Sequence, residues 1–178
     1  NILAEALSSP SEGSEVLSVR RRAREAERRQ VTMLHCVWEL LDSQTSAPAE
    51  LDPEDQHEIA TQFRDLCQAV IARYDGTSIS SGGDERLICF GYPIGYEDSA
   101  QRAVRTGLEL REATASLNDR LRKQNDVVVS LSAAVHTGLV VVSETDDESS
   151  RESISVAGDA RNVVTRLQNT IDPGFVII

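Results

Sequence analysis

Asp84 follows a Gly-Gly pair in a turn that enters a short apolar strand. Ser80-Ser81-Gly82-Gly83-Asp84-Glu85-Arg86 leads into the short apolar run Leu87-Ile88-Cys89-Phe90, which Gly91-Tyr92-Pro93 then breaks. Asp84 is therefore the candidate functional centre, although an acidic side chain in a turn also binds backbone N–H groups. Other chemistry-bearing residues are dispersed. Cys36, Cys67 and Cys89 are widely spaced among apolar neighbours, which argues against a disulfide framework or a zinc site and for buried free thiols. His35 and Trp38 lie in or beside an apolar segment and read as core or interface packing. No Ser-His-Asp, Cys-His or Cys-x-x-Cys constellation offers another chemistry.

The elements that must position Asp84 follow from periodicity and punctuation. Val31–Trp38 is short, apolar and partly β-branched, as a buried central strand is. Leu51-Asp52-Pro53-Glu54 starts a helix with Asp52 as N-cap, and Ile59, Phe63, Leu66, Cys67, Val70 and Ile71 form its apolar face. Thr77–Ser81 and Leu87–Gly91 are the strands flanking Asp84. Glu97-Asp98 opens a second helix to about Gln124, with Ala100, Ala103, Val104, Leu108, Leu117 and Leu121 as its stripe. Val127–His136 and Leu139–Ser143 are separated by Thr137-Gly138, a gap suited to a hairpin. After an acidic loop, Ile154–Ala157 pairs briefly, and Gly158-Asp159 begins a third helix through Ile171 with Val163, Val164 and Leu167 inward. Phe175–Ile178 is a last strand. The order β-α-β-β-α-β-β-α-β predicts an α+β domain of ferredoxin-like kind, its sheet mostly antiparallel with helices packed on one face.

Composition bounds what such a domain does. The 178 residues are 40% hydrophobic and 26% charged, ordinary for a globular protein, and no run is long enough to span a bilayer. The start shows no export signal, so a cytoplasmic location is expected. The net charge of −11 hides an asymmetry. Six of 17 arginines lie within Arg20–Arg29, whereas residues 31–178 hold 12 basic and 24 acidic groups, a balance that speaks against nucleic-acid binding. Residues 1–16 read as a linker or the end of an upstream domain, residues 17–30 as a basic connecting helix docking on the acidic body, and residues 31–178 as the main domain, truncated at its C-terminus.

Several separate pieces now coincide with one family. Glu27-Arg28-Arg29-Gln30-Val31-Thr32-Met33-Leu34, Gly83-Asp84, Phe90-Gly91-Tyr92-Pro93, Glu97-Asp98-Ser99-Ala100, His136-Thr137-Gly138-Leu139 and Asn162-x-x-x-Arg166-Leu167-Gln168 resemble the catalytic domain of bacterial class III adenylate/guanylate cyclases, in order from about Glu27 to Ile178. The resemblance implies the class III nucleotidyl cyclase fold, and a head-to-tail pair of chains with nucleotide between them. One chain of such a pair supplies two metal-binding aspartates, and the other supplies purine-selecting residues, an asparagine and an arginine. The chemistry would be attack of a 3′-hydroxyl on the α-phosphate, with divalent ions on the attacking and leaving oxygens.

Carried over by resemblance, the second metal aspartate is Asp84, but the first position holds Val37, which coordinates nothing. Leu40 stands where the family keeps a glycine, and its side chain is expected to obstruct the triphosphate. Glu85 replaces the glycine after the second aspartate and adds negative charge. The purine-contact positions hold Ser80 and Ser155, which specify neither adenine nor guanine; Lys123, the chain's one lysine, lies elsewhere. Asn162 and Arg166 remain as transition-state residues, four apart on one helical face. His136 belongs to a structural motif.

These substitutions imply a catalytically degenerate cyclase homology domain, inactive alone, acting as a regulatory or dimerisation module in a larger signalling protein. Two alternatives stand beside it: a cyclase half active only with a complementary partner, and a nucleotide sensor without turnover. No cofactor is expected, with Mg²⁺ or Mn²⁺ only if nucleotide still binds. The partners implied are a second copy or another cyclase domain, together with flanking domains of the same chain, and neither nucleic acid nor membrane.

Overall fold

One long strand organises the molecule. The computed structural model describes residues 27–144, 154–172 and 175–177, and in it β1 (Glu27–Asp42) is followed by α1 (Pro53–Arg73), β2 (Thr77–Gly82), β3 (Glu85–Phe90), α2 (Ser99–Gln124), β4 (Val127–Glu144), β5 (Ile154–Ala157), α3 (Asp159–Gln168) and β6 (Val176–Ile177). The sheet order is β2-β3-β1-β4-β5, all antiparallel, and β6 runs parallel to β4. The fold is α+β; the order of elements has the expected form up to α2, after which Val127–Glu144 is a single strand and Ile154–Ala157 supplies the next one.

Alternation along β1 divides the core in two. Leu34, Cys36 and Trp38 face α1 and α2, where Trp38 meets Phe63 with ring centroids 5.0 Å apart. Val31, Met33 and His35 face the other way, and α3 packs there through Ala160 and Val164. The helices are thus not confined to one face: the two long ones share a face and the short third one covers the opposite side. That placement matters for function, because α3 carries Asn162 and Arg166.

Local signals explain most of the elements. Asp52 accepts a hydrogen bond from the Glu54 backbone N–H at 2.9 Å, and Pro53 occupies the first turn, as its sequence dictates. Ile59, Phe63, Cys67, Val70 and Ile71 are buried on α1. At its start α2 lacks a side-chain cap, and Asp98 instead accepts from Arg102 Nε at 2.7 Å. Arg102 also donates to Asp75 at 2.7 Å and lies over the Tyr96 ring, tying the start of α2 to the end of α1. The buried stripe of α2 is Ala103, Thr106, Gly107, Leu110, Thr114, Leu117 and Leu121. Leu108, expected inward, is 44% exposed; it lies one residue, about 100° of helix, beyond Gly107. Gly107 itself is buried because a Cβ there would come within 3.2 Å of Val176.

Two sequence expectations need correction. Thr137-Gly138 does not turn: Val127–Glu144 is one strand, with Thr137 opposite Thr32 and Gly138 opposite Val31. The glycine serves packing instead, since a Cβ at Gly138 would lie 2.9 Å from the Ala160 Cβ of α3. His136 therefore sits in a continuous ladder opposite Met33. The hairpin of this region is the antiparallel pair β4–β5, whose connecting residues 145–153 lie outside the described set. The second correction concerns the basic helix expected over 17–30. Glu27–Gln30 are strand, pairing with Val142–Leu139, because the ladder to a strand whose Val140 and Val142 are buried outweighs local helix propensity. The rest of that expected helix, residues 17–26, and the expected linker, residues 1–16, lie outside the described residues. A smaller difference is that α3 stops at Gln168, short of Ile171.

Candidate functional site

The turn that presents Asp84 is built by Gly83, whose φ of 55° is left-handed, and by the antiparallel pair β2–β3. Asp84 is exposed. Its backbone carbonyl accepts from the Trp38 N–H at 2.9 Å, pinning the turn to β1. No side-chain hydrogen bond or ion pair forms at Asp84 among the described residues. The alternative role of tying down backbone N–H groups through its carboxylate is therefore not what its geometry shows.

Val37, the position to which the resemblance carries the first metal aspartate, pairs directly with Glu85 in the β1–β3 ladder, one residue from Asp84. The two family positions are thus neighbours in space, as a shared ion requires, but the donor set is one exposed carboxylate and an isopropyl group. Among the described residues no group of three or more His, Cys, Asp or Glu side chains is placed to hold a metal ion. The residues present do not fit a two-ion site.

Leu40 acts differently from the sequence expectation. Its side chain packs partly buried against the α1/α2 core, on the same face as Trp38. The backbone departs instead: β1 continues through Leu40 and Leu41, which pair with Val129 and Val128, and the Leu40 carbonyl accepts from Ala49 N–H at 2.9 Å. The backbone of this stretch is thus committed to hydrogen bonds within the chain.

On the α3 side of the sheet lies a cleft of about 450 Å³. Asn162, Thr165 and Arg166 line one wall together with Arg161, and His35, Glu85 and Leu87 form the other. The helix holds its register through three contacts. Ala160 seats against Gly138, Val164 is fully buried, and Gln168 Nε2 donates to Ser132 Oγ at 2.8 Å in the interior. Asn162 and Arg166 are consequently exposed and aimed along the cleft. The structure brings these two residues together with Glu85; Asp84 stands outside the lining. Ser80 and Ser155 are on the two edge strands, paired with Leu87 and Ser143, and their side chains lie outside the described residues.

His35 and Arg161 are cleft residues that sequence reasoning did not single out as a site. The His35 side chain is 5% exposed, with Nε2 3.5 Å from Glu85 Oε2. Burial lowers its pKa below the usual 6.5, Glu85 pulls it back up, and Arg161 pushes it down again. The thiols are inert by comparison. All three are buried and unpaired, and burial raises Cys36 and pushes Cys67 and Cys89 up to about 12.

No protein-family model matches the chain. Among curated relatives it is similar to adenylate cyclase 1 of Rhizobium meliloti (strain 1021), 28% identical over 116 residues that cover 65% of this chain and 17% of that protein. An uncharacterized protein of the same organism is 30% identical over 158 residues, 87% of this chain and 14% of that one. The chain thus spans less than a fifth of the length of each. Among solved structures, the guanylyl cyclase Cya2 superposes with a TM-score of 0.74 at 27% identity, covering 85% of this chain and 76% of that one.

Proposed function

Because the chain is a domain of the class III adenylyl/guanylyl cyclase kind, we propose that it is a catalytically degenerate member, acting as a regulatory and pairing module within a larger signalling protein. One observation carries this reading. The rung opposite Glu85, where a second metal-binding carboxylate is required, holds Val37, and the remaining carboxylate, Asp84, stands outside the cleft. Without two ions, neither the attacking 3′-oxygen nor the leaving pyrophosphate is stabilised, and an arginine alone does not substitute. The continuous ladder through Leu40 and Leu41 supports the same reading. The small share of its relatives' length supports a module among other domains. No described helix is long and apolar enough to cross a membrane.

A second reading is favoured by the open cleft lined by Asn162 and Arg166. These are the residues that the resemblance assigns to the half-site opposite the metal aspartates, so a partner domain carrying both aspartates would complete one site, and a second copy of this chain would not. Nucleotide choice stays unassigned, since Ser80 and Ser155 specify no base. Calorimetric titration with ATP and with GTP, with and without Mn²⁺, separates the readings. No heat from the chain alone is the expected result for a pairing module; saturable binding favours a sensor. Cyclisation only after mixing with a cyclase domain that carries both aspartates favours the complemented half-site.

A further inference from the structure

Beneath α3 lies a histidine with one nitrogen unanswered. The His35 side chain is 5% exposed, Nε2 faces Glu85 Oε2 at 3.5 Å, and Nδ1 has no hydrogen-bond partner. A neutral imidazole carries one N–H. With that hydrogen on Nε2, directed at the carboxylate, Nδ1 is left as a bare buried acceptor, the less costly of the two ways to leave it unsatisfied. A second proton must go on Nδ1, where nothing accepts it, so the cation is accommodated only if the ring turns toward the cleft or water enters beneath the helix.

The surroundings make that choice sharp. From β3 the charged group is Glu85, with a side chain 59% exposed. From α3 it is Arg161, whose positive charge opposes a cation at His35, with Arg166 further along the same wall. On β4 the residue opposite is Ala134, and His136 lies two positions on, opposite Met33. On β1 the same-face neighbours are Met33 and Val37. Among the described residues Glu85 is therefore the group that attracts an imidazolium at His35, and it stands toward solvent.

We propose that His35 is a proton-operated wedge: neutral, it is buried beside α3; protonated, it shifts further toward Glu85 and solvent and loosens α3 from the sheet, so that acidification widens the cleft whose wall carries Asn162 and Arg166. The wedge does not depend on the pairing role. It makes the cleft responsive to pH whatever occupies it, and it uses a buried ionisable group whose Nδ1 is, among the described residues, the buried side-chain polar atom without a hydrogen bond.

Imidazole nitrogen NMR on the full chain reads the tautomer, and hydrogen exchange over residues 159–168 at about pH 7.5 and about pH 5.5 reads the opening. The expected results are the Nε2–H tautomer and several-fold faster exchange of α3 at the lower pH, with the β1–β4 ladder unchanged. His35→Phe should abolish the acid response. Should that variant fail to fold, Glu85→Gln is expected to fold and to move both the titration and the opening to lower pH. An Nδ1–H tautomer, α3 exchange that ignores pH, or an acid response unaltered in Glu85→Gln would each overturn the proposal.

Discussion

At the scale of single residues, the decisive feature is which rung each side chain occupies. Val37→Asp restores the missing carboxylate type but sets it directly opposite Glu85. Like charges across an antiparallel pair are destabilising, by about 0.2–1 kcal/mol. Urea denaturation should show Val37→Asp less stable than the parent by about that amount, with the loss reduced when Glu85→Gln is added; a loss independent of residue 85 contradicts the pairing. His35 supplies the pH dependence. Its folded pKa is depressed below the unfolded value of about 6.5, so its contribution to stability is present above that value and is lost as pH falls through the folded pKa. Denaturation midpoints should fall from neutral pH into this acidic window, and His35→Phe should flatten that part of the profile. Asp84, Asn162 and Arg166 stood out in the sequence through motif spacing; the cleft is lined by Asn162 and Arg166, and Asp84 lies outside it. The cleft's other wall was not readable, since His35 and Glu85 are 50 residues apart in the chain and only the β1–β3 register brings them together.

At the scale of elements, the glycine at 138 shows how one signal supports two structures. A Thr-Gly pair between apolar runs reads as a turn, yet here the missing Cβ admits Ala160 and lets α3 lie close on β4. Gly138→Ala should destabilise the domain by about 1–3 kcal/mol through overpacking, with partial recovery in Gly138→Ala/Ala160→Gly. A turn at this position would instead leave the two substitutions uncoupled. Elements with local punctuation were legible. The Asp52-Pro53 start of α1 is carried by one side-chain bond, and Asp52→Ala should cost about 1 kcal/mol in the same measurement. The start of β1 was not legible, because Glu27–Gln30 join the sheet through pairing with residues 139–142, a long-range contact that outweighs the helix formers around them.

At the scale of the whole molecule, the charge asymmetry bears on the proposed pairing role. Residues 31–178 carry 12 more acidic than basic groups, and six arginines precede them. If the basic segment docks on this body through several screened pairs, each worth about 0.2–1 kcal/mol, then removing residues 1–26, which leaves β1 intact, should reduce oligomer size in sedimentation at low salt and make no difference at high salt. Equal behaviour with and without the segment at both salt concentrations would mean that Arg20, Arg21, Arg22 and Arg24, the four of the six that this deletion removes, are a solvated face.

The central claim is that this cyclase-type domain has lost its two-ion chemistry. The most direct measurement is cyclic-nucleotide production from ATP and from GTP by the purified chain, in Mg²⁺ and in Mn²⁺, for the parent and for Val37→Asp. The parent, with one exposed carboxylate at the ion site, should yield no product above a heat-inactivated control, and neither should Val37→Asp, whose new carboxylate stands opposite Glu85 beside a continuous ladder through Leu40 and Leu41. Cyclic nucleotide from the parent chain alone would contradict the claim.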